Sequence, residues 1–394
     1  MSFQNPVFIP GPTNIPEALH KACDMPTIDH RSPLFGQILH PARDGVRKVL
    51  KSENAEVFIF PSTGTGGRET ALSNCLSAGD QILAARNGMF SHRWIDMCQR
   101  HGLEVQIVET PWGDGLPADL YAEILAADTQ HQIKAVLATH NETATGVKSD
   151  IAAVRRALDA AGHPALLMVD TISSLASVEF KHDEWGVDVT VSGSQKGLML
   201  PPGLSFNAIS DKAMKASESA GLKRAYWSWA EMAGPNDTGY FPFTPATNLL
   251  YGLNEAIDML HEEGLDNVFA RHKRHGAATR AAVEAWGLEV LCQVPEHRSP
   301  VLTAVMVPEG HSADNFRAVT LRNYDMSLGN GLSKVADRVF RIGHLGDFND
   351  LMLCGTLSGV EMGLRDAGIP YRAGGVQAAL EVLGQKFDAA RAAA

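Results

Sequence analysis

Short apolar runs alternate with helix-like segments between about residue 45 and residue 210 of this 394-residue chain. Strand–helix alternation of this kind predicts an α/β fold with a mostly parallel sheet, covered by helices on both faces. The clearest helix is Ser149–Ala161, with Ser149 or Asp150 as its N-cap and Gly162 as its end. The predicted strands are Glu56–Phe60, Gln81–Ala85, Val105–Val108, Ile133–Ala138, Ala165–Val169, Val187–Val191 and Leu204–Ala208.

The pattern changes beyond residue 250. Helical periodicity runs through Gly252–Glu263 and Leu265–Trp286, which predicts a long helical connection. We predict a large α/β domain over residues 21–274 and a smaller α+β domain over residues 275–394. The strand candidates of the second domain are Leu288–Cys292, Val301–Val307 and Val339–Ile342.

The first residues form a separate segment. Phe8–Pro16 contains too much proline for a regular element, because proline lacks a backbone N–H donor. We predict an N-terminal arm over residues 1–20 that is extended and packs on another part of the protein.

Composition excludes some classes of function. A formal net charge of −11 argues against binding nucleic acid through the overall field of the protein. The five cysteines lack metal-ligand spacing, and we find neither a secretory signal nor an apolar run long enough for a membrane span. We therefore expect reduced thiols, no metal, no membrane partner and a cytoplasmic protein.

Three features fall at predicted strand ends. Lys196 follows Val187–Val191 among small residues, Asp170 ends another apolar run, and the glycine-rich turn Pro61–Gly67 precedes a helix. Because parallel strands bring their carboxyl ends to one edge of a sheet, these features are expected to meet. Pyridoxal 5′-phosphate (PLP) needs such a set: a lysine for the Schiff base, a carboxylate for the ring nitrogen and helix amides for the phosphate. The set predicts a PLP site.

Each feature also has a simpler interpretation. A lysine is usually a surface residue, and Asp170 could cap the next helix. The glycine-rich turn lacks the GxxxxGK[ST] spacing of a Walker loop and could serve packing alone. The small residues around Lys196 and the order of the three features favour the cofactor site. We expect burial to lower the pKa of Lys196, so that its free amine can carry a proton between the substrate and the cofactor.

Longer motifs make the chain resemble the class V (fold-type I) PLP-dependent aminotransferases over nearly its whole length. Within that family it is most similar to members that transfer the amino group of serine to glyoxylate. The resemblance implies the fold-type I architecture, amino-acid and 2-oxo-acid substrates, and a homodimer with shared active sites. The motifs are Phe8–Pro16, Asp29–Pro33, Phe60–Gly67, His140–Gly146, Asp183–Asp188, Gly193–Gly197, Thr244–Gly252 and Arg341–Gly346.

The resemblance implies the cofactor contacts. Thr63, Gly64 and Thr65 would bind the phosphate, and Gln195 would assist beside Lys196.

Further contacts with the cofactor follow from the same resemblance. Phe90 would lie over the pyridine ring, although such a phenylalanine is more often a core residue. Thr143 would donate to the ring hydroxyl, while Thr244, with Tyr240 near it, would reach the phosphate of the neighbouring subunit.

Substrate contacts are implied in the same way. Arg341 would bind the substrate α-carboxylate as a bidentate fork, although an isolated arginine could equally be a surface ion-pair partner. The arm would line the pocket with Gly11, Thr13 and Asn14, and the other subunit would contribute His30 and Arg31.

The chain departs from the family pattern at several positions. Arg68 stands where members commonly have tryptophan, and we place this cation near the pocket mouth, among the substrate-binding residues. Thr171 and Ile172 replace the usual Gly-Val after Asp170, and Arg224–Trp229 also differs. These departures leave the amino donor open. L-Serine is the first expectation, and aspartate or alanine is the alternative, with Arg68 pairing the distal carboxylate of a dicarboxylic donor.

The sequence argues against two rival classes of function. A PLP lyase or cysteine desulfurase needs a mobile cysteine, and Cys292, the nearest candidate, lies in a strand-like run. A binding scaffold without catalysis is at odds with the intact set of Lys196, Asp170 and Arg341.

Overall fold

The computed structural model describes residues 7–392. The strands are β1 (Val7–Phe8), β2 (Glu56–Ser62), β3 (Gln81–Arg86), β4 (Glu104–Glu109), β5 (Ile133–Thr139), β6 (Asn141–Glu142), β7 (Val147–Lys148), β8 (Leu166–Asp170), β9 (Val189–Gly193), β10 (Gly203–Ile209), β11 (Glu289–Val290), β12 (Leu302–Met306), β13 (Ser327–Asn330) and β14 (Val339–Gly343). The helices are α1 (Glu17–Cys23), α2 (Gly36–Val49), α3 (Gly64–Cys75), α4 (Met89–Arg100), α5 (Ala118–Ala127), α6 (Ile151–Ala160), α7 (Asp211–Ser217), α8 (Trp229–Asp237), α9 (Thr247–Glu263), α10 (Leu265–Trp286), α11 (Ala313–Tyr324), α12 (Asp350–Asp366) and α13 (Gly375–Ala392).

The larger sheet has seven strands in the order β2-β10-β9-β8-β5-β3-β4. Strand β10 pairs antiparallel with both neighbours, whereas the pairs from β9 to β4 are parallel. The predicted α/β class with a mostly parallel sheet is confirmed. The carboxyl ends of β2, β8 and β9 consequently lie at the same edge of the sheet.

Helices cover both faces of the larger sheet, as near-continuous apolar strands require. Alternate residues of β2 show this, since Val57 and Ile59 belong to one buried cluster and Phe58 and Phe60 to the other. Among the helices of the described residues, none combines the length and the apolar character needed to cross a bilayer.

Helix α6 confirms the predicted capping. Asp150, one of the two N-cap candidates, accepts a hydrogen bond from the backbone N–H of Ala153 at 2.9 Å. Gly162 adopts φ +57° just beyond the helix, a conformation that glycine tolerates without steric cost.

The smaller sheet has the order β1-β13-β14-β12-β11. Strands β1 and β13 were not expected, because Val7–Phe8 lies in the proline-rich arm and Ser327–Asn330 carries polar residues and glycine. The arm therefore does contribute a regular element. Val7 and Phe8 pair in parallel with Ser327 and Leu328.

Helix α10 links the buried clusters of the two sheets. Val268, near its start, packs in a cluster of the larger sheet, while Val283 and Trp286, near its end, pack in the cluster of the smaller one. The domain boundary expected between residues 274 and 275 falls inside this helix. That boundary remains a proposal about where the chain divides.

The buried faces of the larger sheet predict a marked difference between two leucine substitutions. Leu83 in β3 is fully buried, whereas Leu351 in α12 is 83% exposed. Leu83→Ala is expected to lower the free energy of unfolding by about 2–5 kcal/mol, because it leaves a cavity in the core. Leu351→Ala removes the same atoms and should change it by less than about 0.5 kcal/mol. Denaturant titration measures both, and equal losses would contradict the assignment of Leu83 to the core.

Candidate active site

Lys196 is buried beneath the N-terminal arm. It is 9% exposed, and its Nζ donates to the backbone oxygen of Pro10 at 2.5 Å. The Thr13 hydroxyl donates to the Lys196 carbonyl at 3.2 Å, and the Thr13 amide donates to the Gln195 carbonyl at 3.2 Å. The arm and the loop after β9 are thus joined around one amine.

Gly11 lies against the Lys196 side chain. It has φ +90°, and a Cβ placed on it would lie 2.4 Å from Cδ and 2.6 Å from Nζ of Lys196. The lysine therefore occupies the space that any larger residue at position 11 would need.

The environment of Lys196 favours the neutral amine. Burial, together with the positive charge of Arg341, lowers its pKa to about 8, while the negative charge of Asp170 opposes the shift. An amine with such a pKa can bind covalently to an aldehyde and exchange protons near neutral pH.

The glycine-rich turn starts helix α3 at the carboxyl edge of the sheet. Thr63 is the N-cap residue and its side chain makes no capping hydrogen bond, so it does not compete for the first helical amides. Thr63 and Thr65 are exposed while Gly64 is buried, and a Cβ built on Gly193 would lie 3.3 Å from the Gly64 nitrogen. The turn from β2 and the end of β9 form a cradle with free amides, which suits a phosphate.

Gln195 lies beside this cradle. Its side-chain oxygen is buried and, among the described residues, has no hydrogen-bond partner. Side-chain amides of this kind can present either oxygen or nitrogen, so the group can serve a phosphate as a donor.

Asp170 ends β8 and is 4% exposed. Its Oδ1 accepts from the Ile172 amide at 2.7 Å, and its Oδ2 accepts from Nη2 of Arg68. The carboxylate does not cap a helix of the described chain.

Arg68 corrects the expectation of a cation near the pocket mouth. The side chain is 3% exposed, forms an ion pair with Asp170 and lies 5.6 Å from the centre of the Trp94 ring. Arg68 is the fifth residue of α3 and extends beneath the carboxyl edge of the sheet rather than into solvent. Its guanidinium is paired with Asp170 here, and a role in binding a substrate stays a prediction.

Arg341 is positioned by backbone oxygens of two elements. Its Nη1 donates to Thr143 at 2.9 Å and its Nε donates to Asn330 at 2.8 Å. Burial lowers its pKa to about 10, with Glu142 opposing the shift. Within the described chain its Nη2 makes no hydrogen bond, which leaves that end of the guanidinium for a carboxylate.

Phe90 belongs to the hydrogen-bond network of Glu142, the residue before Thr143. Sequence reasoning left Glu142 without a role. The fully buried Glu142 carboxylate accepts from the amides of Phe90, Ser91 and Ala144 at 2.9–3.2 Å. Burial raises its pKa, while these amides and Arg68 oppose the shift. Glu142 thus fixes the start of α4 and the Phe90 backbone.

One signal in the sequence could have identified Glu142. It is an acidic residue inside the motif His140–Gly146, and the structure buries every residue of that motif. The Thr143 hydroxyl, in the same run, donates to Ser173 at 2.9 Å.

Five of the expected site residues take no part in the described hydrogen bonds around Lys196, Asp170 and Arg341. Asn14 instead secures the arm, because its side chain exchanges two hydrogen bonds of 3.0 Å with the backbone of Val7. The other four lie in loops and are exposed or half-buried; they are His30, Arg31, Tyr240 and Thr244.

The segment Arg224–Trp229 lies beside the phosphate turn. A Cβ on Gly66 would lie 2.8 Å from the Trp227 ring, and the Asn74 side chain donates to the Trp227 carbonyl at 2.6 Å. Trp229 is fully buried against Phe58, with ring centroids 6.1 Å apart, so it packs in the core rather than in the site.

Cys292 does not suit the desulfurase alternative. It is 3% exposed, its thiol is 3.5 Å from the Val294 carbonyl, and burial raises its pKa. A nucleophilic cysteine needs access and a thiolate, and this residue has neither.

The residues present fit PLP. The buried amine of Lys196 suits the aldehyde, Asp170 suits the ring nitrogen, and the amides at the start of α3 suit the phosphate. The buried side-chain oxygen of Gln195, which has no hydrogen-bond partner among the described residues, lies beside the cradle and supports the same fit.

The family model described as aminotransferase class-V matches residues 20–344 of the chain. The chain is 59% identical to the L-aspartate–glyoxylate aminotransferase of Paracoccus denitrificans over 99% of both proteins. It is 50% identical to the serine–glyoxylate aminotransferase of Hyphomicrobium methylovorum, covering 95% of this chain and 93% of that one. The crystal structure of pyridoxamine–pyruvate aminotransferase from Mesorhizobium loti, at 25% identity, superposes with a TM-score of 0.91 over 98% of this chain and 99% of that one.

The contact between Gly11 and Lys196 predicts that Gly11→Ala slows covalent capture of PLP by the apoprotein. The added methyl group must displace the lysine side chain, and misplacement of a reacting group by about 1 Å can cost about 100-fold in rate. Gly79→Ala is the matched control, because Gly79 has φ +87° but no atom within 4 Å of its Cβ position. The absorbance of the bound cofactor reports the rate, and equal rates for the two variants would contradict the packing of Gly11 on Lys196.

The charges around Lys196 predict the pH dependence of the same capture reaction. Because only the neutral amine reacts, the rate should rise with pH and reach half of its maximum near the Lys196 pKa of about 8. Arg341→Met removes a cation that lowers this pKa, so the midpoint should move to higher pH. Arg86→Met, on an arginine paired with Glu109, serves as the control. An unchanged midpoint in Arg341→Met would contradict the electrostatic link.

Proposed function

Since this chain belongs to the class V aminotransferases, which use PLP, we propose that it transfers the amino group of a small L-amino acid to glyoxylate and forms glycine. The observation that carries the proposal is the buried Lys196, flanked by the charges of Asp170 and Arg341. Relatives named for glyoxylate as acceptor, at 50–59% identity, support the choice of that 2-oxo acid.

Lys196 has two tasks in this proposal. Bound PLP supplies an aldehyde carbon and a conjugated ring that delocalises the electron pair of a broken bond at the substrate α-carbon. The Nζ of Lys196 would hold the cofactor through this aldehyde carbon while no substrate is bound. As a free amine, Nζ would take the proton from the substrate α-carbon and return it to the carbon of that former aldehyde, C4′.

The other residues bind and orient. The amides at the start of α3, with Gln195, would bind the phosphate, and the Asp170 carboxylate would accept a hydrogen bond from the protonated ring nitrogen. The free end of the Arg341 guanidinium binds the α-carboxylate, which both donor and acceptor carry. One site therefore serves both halves of a ping-pong reaction.

The donor proposed first is L-aspartate, with L-serine second. The relative at 59% identity, named for aspartate, supports this order, while relatives at 46–50% identity support serine. Aspartate differs from serine by its distal carboxylate, and a protein cation is needed to bind that group. Arg68 is already paired with Asp170. We propose Arg31 for this task, because it is exposed and its guanidinium makes no ion pair in the part of the chain that the structure describes.

We also propose a homodimer in which each subunit completes the other's site. Arg31 and Thr244 are exposed in the single chain, and so are the large apolar side chains of Met25 and Leu34 nearby in sequence. A partner that covers this stretch would bury the apolar residues and bring Arg31, His30, Tyr240 and Thr244 to the neighbouring cofactor. The scattered thiols support a cytoplasmic location.

A donor panel with glyoxylate as acceptor tests the function. Aspartate is expected to give the highest kcat/KM, followed by serine and alanine, with glycine as the common product. Arg31→Met should lower kcat/KM for aspartate by about tenfold or more, because a charged hydrogen bond is lost, but that for serine by less than about twofold. Lys196→Ala is the blank and should form no glycine. Turnover of no donor with glyoxylate would overturn the proposal, and equal losses for aspartate and serine would remove Arg31 from donor selection.

A further inference from the structure

Arg68 and Asp170 form an ion pair within the protein interior. Both side chains are at most 4% exposed, and Nη2 of Arg68 donates to Oδ2 of Asp170. The guanidinium Nε is buried and lacks a hydrogen-bond partner among the described residues. The Arg68 side chain is shielded from solvent, so its orientation depends on the contact with Asp170.

Three further charged groups lie around the pair. Lys196 follows β9, Glu142 lies in β6 and Arg341 lies in β14, and each interacts electrostatically with a member of this cluster. Arg68 is thus the cation in direct contact with Asp170, while Lys196 and Arg341 act on the site from further away.

The Asp170 carboxylate can accept one more donor. It now accepts from the Ile172 amide through Oδ1 and from Arg68 through Oδ2. A carboxylate offers about four acceptor positions, so the N–H of a cofactor ring can bind without displacing Arg68. The ion pair can therefore persist in the loaded enzyme.

We propose that Arg68 is a positioning residue that shares the charge of Asp170 with the ring nitrogen of PLP and so weakens the attraction between Asp170 and the protonated nitrogen. This inference rests on the proposed role of Asp170 at that nitrogen. A cation at hydrogen-bond distance reduces the negative potential that the carboxylate exerts on its other partner, and this effect is large where water is excluded. Arg68 thereby sets how strongly the ring withdraws electrons.

Binding of two cofactors to the apoprotein tests this role without any turnover. One is PLP, and the other is its analogue with C–H in place of the ring nitrogen. The dissociation constant of the analogue divided by that of PLP measures how much the ring nitrogen contributes to binding. Quenching of protein fluorescence reports both constants, because Trp94 and Trp227 lie close to the site.

Arg68→Gln keeps a hydrogen bond to Asp170 but removes the charge, and it should raise the ratio by about threefold or more, as expected for directly coupled residues. Arg68→Met should raise the ratio similarly. Arg68→Lys retains the charge and should stay within about twofold of wild type. Arg43→Met is the matched control, because Arg43 is a buried arginine paired with Glu56 at 2.6 Å elsewhere in the larger domain; its ratio should not change.

Asp170→Asn separates this inference from the proposed role of Asp170. The substitution should lower the ratio, and adding Arg68→Gln to it should leave the ratio within about twofold, because the coupling partner is gone. A lowered ratio in Asp170→Asn together with an unchanged or lowered ratio in Arg68→Gln would overturn the role of Arg68 alone. A wild-type ratio in Asp170→Asn would overturn the role of Asp170 as well.

Discussion

The N-terminal arm holds Lys196 and both sheets in one arrangement. Its residues Val7 and Phe8 extend the smaller sheet, and two residues further along, the Pro10 carbonyl accepts the Lys196 amine. The smaller sheet makes room for the arm, since a Cβ on Gly343 would lie 2.2 Å from the Ile9 carbonyl. The environment of the amine thus depends on contacts from three separate parts of the chain.

Features that depend on local pattern could be predicted from the sequence. The strand ends at Asp170 and before Lys196 follow from apolar runs, and the cap of α6 follows from Asp150 and Gly162. Parallel strands then bring these ends together without any knowledge of side-chain contacts. The cofactor chemistry could therefore be predicted from the sequence, and the family match over residues 20–344 agrees with it.

Features that depend on the direction of a long side chain, or on pairing between distant segments, could not be predicted. Arg68 could extend toward solvent or toward Asp170 from the same helical position, and only the packed neighbours, among them Trp94, decide between them. Strand β13 carries no periodic pattern and exists because β14 and the arm pair with it. Glu142 is buried because three amides converge on its carboxylate.

The Arg68–Asp170 pair also bears on how the enzyme matures. A buried carboxylate without a counter-charge strongly destabilises a folded protein. Here the compensating cation comes from the chain itself, so the pocket for the ring nitrogen is already electrically balanced when the polypeptide finishes folding. The charge of Asp170 is therefore compensated in the folded chain before any cofactor binds.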